Sequence, residues 1–313
     1  MDSFPEVSGS VEGLVELVAV LITVTGGRPR VLTVDNGSLL LNGPLLPVHR
    51  SLQAGVRVWV AKKTGQPMGY VEQLYTFIDA DRKNEQGLPV LYVSYLGLVR
   101  EADETILSGT ARWCDWYSYF PWENACCAGH EQTVAHIVQH IRRWANTADT
   151  EAGRQERLNR MNLCWGLAPY EWSEEYVLLR YELLYEAGLI HESPERSAEF
   201  DPAFTGKFMA HDHRRVLATA MSRVRAKIKY RPIIYELLPP QFTLLQLQQS
   251  IEALTGRRLH KQNFRRQIKH QDLIEPIAGN TAGGIGRPAQ LYQFKDNVLL
   301  ESLISDIKLP LRK

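Results

Sequence analysis

Cysteine is scarce in this chain: four thiols in 313 residues, Cys114, Cys126, Cys127 and Cys164. A secreted disulfide scaffold is far denser in cysteine, and the adjacent pair would bridge only with strain, so reduced thiols in a cytoplasmic protein are the expectation. Cys127-x2-His130 is half of a zinc spacing without a second pair, which favours a buried thiol over a metal ligand. Long apolar runs are missing as well. No segment reaches the ~18 residues of a membrane span. The best candidate, Leu14 to Val24, contains Glu16 and has no basic stretch before it, so a buried strand is expected and not a signal peptide. Net charge is nearly absent, 36 Lys and Arg against 35 Asp and Glu. The balance alone therefore points to no partner.

Its distribution does. Between Ser222 and Phe294 there are 12 Lys and Arg but only 4 Asp and Glu, so the remainder of the chain is acidic. One basic module on an acidic protein is the electrostatic footprint of a polyanion binder. At this length two domains are expected, and a 44% apolar fraction is that of an ordinary globular protein.

The first ~110 residues read as strands and turns, with Val15 to Val24, a Gly26-Gly27 turn and Val31 to Val34 as a hairpin. Val56 to Lys63 reads as a short helix stopped by Gly65, and Val90 to Val99 as a central strand. From His130 the apolar period becomes helical: Val134, Ile137, Val138, Ile141 and Trp144. A further helix is expected from Ser173, as N-cap, to Ala187, and another from Asp212 to Lys229. Asp149 to Gln155 and Ser193 to Gly206 look like surface linkers. His136 and His140 have the spacing of a metal-binding pair, but Ile137 stands where a zincin has its glutamate, and a solvated helix face is favoured.

The C-terminal third carries the strongest signal. Thr243-Leu-Leu-Gln246 is a capping box, and the helix it starts places Leu244, Leu247, Ile251 and Leu254 on one face before Gly256. A second helix, Lys261 to Gln271, turns Phe264 and Ile268 inward and Gln262, Arg265, Arg266 and Lys269 outward. Strands Leu273 to Ile277 and Ala289 to Phe294 flank a segment with Gly279, Gly283, Gly284 and Gly286, the pattern of a wing. This order predicts a winged helix-turn-helix on double-stranded DNA. Arg265 and Arg266 suit guanine or phosphate, Gln262 and Asn263 adenine, Lys261 and Lys269 phosphates, and Arg287 phosphate or a narrow minor groove. A basic module used only for protein contacts is the alternative.

Gln241 to Gln248, Leu259 to Arg266, Leu273 to Pro276 and Gly286 to Tyr292 resemble the winged domain of Nudix-related transcription regulators, the NrtR-like repressors and more closely the NadQ-like repressors of NAD biosynthesis. Upstream, Glu72 to Phe77 and Val90 to Val99 resemble their sensor domain, and Asp212 to Pro232 the link to the DNA-binding domain. The resemblance implies an α+β protein. A Nudix-like α/β/α sandwich sensor, residues 1–231 with a helical insertion at about 110–205, precedes a winged helix-turn-helix at 232–313. It further implies a homodimer on a palindromic operator. The effector would be a nucleotide, namely NAD, an ADP-ribose-like molecule or ATP, and no cofactor is required.

The resemblance fails at the Nudix box, G-x5-E-x7-R-E-U-x-E-E-x-G-U. With its last glycine on Gly65, the first glycine becomes Pro44 and the first glutamate Arg50. The Arg-Glu pair becomes Val58-Trp59, and the two metal-binding glutamates become Lys62 and Lys63. Ammonium groups offer Mg²⁺ no lone pair and repel it, so hydrolysis is not expected. The two lysines instead suit ligand phosphates, or simply a solvated helix face. Glu72, Gln73, Tyr75, Asp79 and Arg82 follow the box and are the expected effector contacts, Tyr75 for stacking on adenine and Arg82 for phosphate. Tyr75 and Phe77 fit the core of a strand equally well.

Overall fold

Strand β1 (Leu14–Thr25) is apolar on both faces: Leu17, Ala19 and Leu21 point one way, Val18, Val20 and Ile22 the other, and all six are buried. Such a strand must lie inside a sheet covered on both sides. In the computed structural model, which describes residues 14–44, 51–65, 68–83, 87, 89–100, 110–196, 201–230, 233–280 and 289–296, it does. β1 runs parallel to β5 (Pro89–Leu98) and antiparallel to β2 (Arg28–Val34) and β3 (Leu39–Pro44). With β4 (Tyr70–Lys83) and β6 (Arg112–Asp115) at the edges, the sheet order is β4-β5-β1-β3-β2-β6.

Helix α1 (Leu52–Thr64) covers the first face through Val56 and Val60. Ser51 caps its start by accepting the Ala54 N–H, and Gly65 ends it at φ +67°, a conformation other residues adopt at a cost. Helix α6 (His213–Tyr230) lies on the second face, burying Val216, Leu217, Met221 and Val224 with Val18, Val20 and Ile22. The result is the α/β/α layering expected.

The insertion supplies α2 (His130–Ala145), α3 (Glu151–Cys164), α4 (Val177–Glu186) and the short α5 (Pro202–Thr205). β6 pairs with β2, so the helical part begins only after Asp115. Trp116, Tyr119, Phe120 and Trp122 then form a fully buried aromatic cluster.

Asp149 to Gln155 is no linker: Thr150 accepts the Gly153 N–H and starts α3, whose largely polar sequence shows no stripe because only Met161 and Cys164 are fully covered. Ser193 to Gly206 is not wholly a linker, since α5 occupies its end; residues 197–200 lie outside those described. Ser173 stands before a 3-10 turn and not before α4, and its hydroxyl makes no cap bond. Its carbonyl accepts from Arg180, and the chain enters α4 through a 3-10 turn, Glu174–Tyr176. His136 and His140 are half-buried, not solvated, with the His136 ring stacked 3.9 Å from that of Phe204.

The C-terminal module comprises β7 (Phe242–Thr243), α7 (Leu244–Thr255), α8 (Lys261–Gln271), β8 (Ile274–Asn280) and β9 (Gln290–Phe294), with sheet order β7-β9-β8. The capping box forms in both directions, Thr243 Oγ1 accepting from Gln246 N–H and Gln246 Oε1 from Thr243 N–H. The two-residue β7 gave no periodic signal. Gly283, Gly284, Gly286 and Arg287 fall outside the described residues.

Candidate nucleic-acid interface and its link to the sensor

Helix α8 divides by periodicity into a buried and an open side. Phe264 and Ile268 lock it to the module's core, while Lys261, Gln262, Asn263, Arg265, Arg266 and Lys269 are all exposed. Among the described residues none of its four cations is engaged in an ion pair, which leaves their donors for an external anion. The turn before it is fastened by side chains that sequence reading passed over. Gln248 Nε2 donates to the Leu259 carbonyl at 3.0 Å, and Glu252 Oε1 accepts both the Leu259 N–H and Gln248. These bonds hold α8 at a set angle to α7.

The end of α7 is tied to the insertion and to α6. Its carbonyls at Ala253 and Leu254 have no partner within the helix. Tyr117 Oη donates to the first at 2.7 Å and Arg225 Nε to the second at 2.9 Å. Arg225 also meets Glu123, whose carboxylate is bonded by Arg180 at 2.6 and 2.9 Å; all three side chains are fully buried. Burial alone raises the Glu123 pKa, but the two guanidiniums outweigh it and hold the carboxyl below its ordinary value. Gly256, at φ +71°, passes so close to the Glu123 carbonyl and the Tyr117 hydroxyl that a Cβ has no room. Arg257 pairs with Glu174 across the same junction.

The expected effector residues divide. Glu72 and Tyr75 face α6: Glu72 accepts from the Tyr70 hydroxyl at 2.5 Å and pairs with Lys227 at 2.9 Å. Tyr75 packs on Phe77, which stacks 4.9 Å from Tyr92, and burial pushes its phenol well above the usual range. Its ring is part of the core beneath α6, the second of the two options it had. Gln73 is exposed and bonds Thr76. The side chains of Asp79 and Arg82 lie outside the described residues, as does Arg50. Lys62 and Lys63 are exposed on the last turn of α1; Lys63 reaches the Asn42 carbonyl at 3.2 Å and sits over the Trp59 ring. The four thiols are unbridged, and a ring nitrogen of His130 lies 2.9 Å from the Trp122 carbonyl.

Residues 234–294 match the family model of the NrtR DNA-binding winged helix domain. The C-terminal module is an NrtR-type winged helix. Its surroundings agree in fold. Shewanella oneidensis NrtR in complex with a 27mer DNA superposes with a TM-score of 0.52 at 20% identity, over 91% of this chain and 94% of that one. A MutT/nudix family protein from Enterococcus faecalis gives 0.51 at 16%, over 91% and 88%. At these identities the likeness shows a Nudix-like domain followed by a winged helix. The ADPR responsive transcriptional repressor NtrR of Acinetobacter baylyi is 37% identical over 86 residues, 28% of this chain and 34% of that protein. The chain thus matches about a third of that relative's length. No helix among the described residues is long and apolar enough to cross a membrane.

Proposed function

We propose that this chain is a nucleotide-responsive transcriptional repressor: a Nudix-like domain that senses without hydrolysing, joined to an NrtR-type winged helix that binds operator DNA as part of a homodimer. The observation that carries this reading is the open face of α8, where exposed cations and amides stand on a helix held by its core side and by the Gln248–Glu252–Leu259 bonds. Lys261, Gln262, Asn263, Arg265, Arg266, Lys269 and Arg287 are its DNA contacts in this proposal. The effector is ADP-ribose or a related NAD or adenine nucleotide, a class favoured by the ADPR-responsive relative, and the regulated genes are those of NAD synthesis. Effector contacts come from Gln73, Asp79 and Arg82 on β4. Glu72 has another part here. Its pairing with Lys227 ties β4 to α6, and α6 reaches the reader through Arg225, so a shift of β4 has a path to α7. The module's boundary falls near residue 231.

The test is fluorescence anisotropy of duplexes from upstream of NAD-synthesis genes. Binding is expected to weaken steeply with salt, since phosphate contacts release counterions, and to change on adding ADP-ribose, NAD or ATP. A salt-insensitive or absent signal would leave a protein-contact module instead. With Mg²⁺ added, no cleavage of ADP-ribose or NAD is expected, because Lys62 and Lys63 stand where the metal-binding glutamates of the box belong. Product release under those conditions would return the chain to the pyrophosphatases.

A further inference from the structure

A cavity of about 850 Å³ opens where the insertion, α6 and both helices of the winged domain meet. Ile228, Ile251, Leu259 and Phe264 give it an apolar floor. Arg257, Arg258, Arg266 and His270 stand around it, and Arg225 lies at its back. Among the described residues Glu174 is the one carboxylate in the lining, and it is already paired with Arg257.

The imbalance extends behind the wall. Arg225 and Arg180, both fully buried, share the single carboxylate of Glu123. Among the described residues that network therefore keeps one positive charge that no carboxylate neutralises, in a setting where solvent screens little. In front of it, Arg258 and Arg266 form no ion pair among the described residues. The lining also divides α8 itself. Arg266, Gln267, His270 and Gln271 border the cavity, whereas Gln262, Arg265 and Lys269 do not. The helix thus has one cationic flank turned to the cavity and another turned away from it.

We propose that this cavity is a binding site for a phosphate-bearing small molecule with a flat apolar part, of the nucleotide class. Its size suits one such ligand, whose phosphates would meet Arg258, beside Arg266 at the border between the cavity and the DNA-binding face, while its apolar part covers Leu259 and Phe264. No described residue of β4 lines it, so it is a second ligand site and stands or falls independently of the sensor reading.

Calorimetric titration of the full chain with pyrophosphate and with ATP tests it, beside duplex binding by the same samples. Wild type should bind both at low salt, and Arg258→Glu should weaken pyrophosphate at least roughly tenfold and remove one ATP-binding event. Arg258→Lys should keep most of the binding, and Arg258→Ala should lose it in part. Arg258 is exposed, so melting temperature should hold in all three. Unchanged isotherms in Arg258→Glu, or no binding by wild type, would overturn the proposal. So would a variant that loses duplex affinity alone, since these cations would then belong to DNA phosphates.

Discussion

Glu123→Gln is expected to lower the unfolding free energy by about 3–5 kcal/mol, because it leaves two buried guanidiniums without their shared counter-charge. The amide keeps the shape of the side chain, so the loss reports charge and not a cavity. Desolvation of three buried ionised groups is costly, and their attraction offsets it only while every donor is bonded. Urea denaturation of both proteins measures the difference, and equal midpoints would mean that the arginines find water. The dependence on pH follows from the lowered Glu123 pKa. A group whose folded pKa is depressed contributes its full stabilisation above its unfolded pKa. That contribution is lost as pH falls through the folded value. Wild type should therefore lose stability in acid below the ordinary carboxylate range, and Glu123→Gln should lose correspondingly less across the same window. The variant should also loosen the reader from the insertion, since Arg225 holds the Leu254 carbonyl.

Arg265→Ala is expected to cost about 1–3 kcal/mol in operator affinity, roughly 5- to 150-fold, with little change in melting temperature. Arg265 is exposed, lies off the cavity flank and makes no ion pair among the described residues, so its truncation removes little from the fold. Lys269→Ala is the contrasting case. A lysine meeting only phosphate should weaken all duplexes alike and reduce the salt slope by about one. Anisotropy titrations against operator and scrambled duplex separate the two. Equal operator affinity for wild type and Arg265→Ala would remove α8 from the recognition role.

The winged module was legible because its signals are local. The Thr243–Gln246 capping box, Gly256 as a helix stop and the split of α8 into Phe264 and Ile268 against a cationic face each depend on residues three or four apart. β1 and β5 were legible for a similar reason, as near-continuous apolar runs. Helix α3 was not, because its polar sequence hides a helix that only packing against α2 and α4 reveals. Ser173 looked like a cap by residue type, yet it stands at the start of a 3-10 turn and its hydroxyl accepts no backbone N–H there.

The chain's own order of residues thus determined that a basic winged helix follows a two-faced sheet. Periodicity, caps and residue chemistry act over a few positions and survive without a fold. The tertiary structure decided what lies between those parts. Arg180 and Arg225 lie 57 and 102 residues from Glu123, whose carboxylate they share, Tyr117 reaches Ala253 across 136, and Tyr75 turns into the core beneath α6. Such pairings depend on which surfaces meet, and a burial cost shared among distant charges leaves no spacing to read.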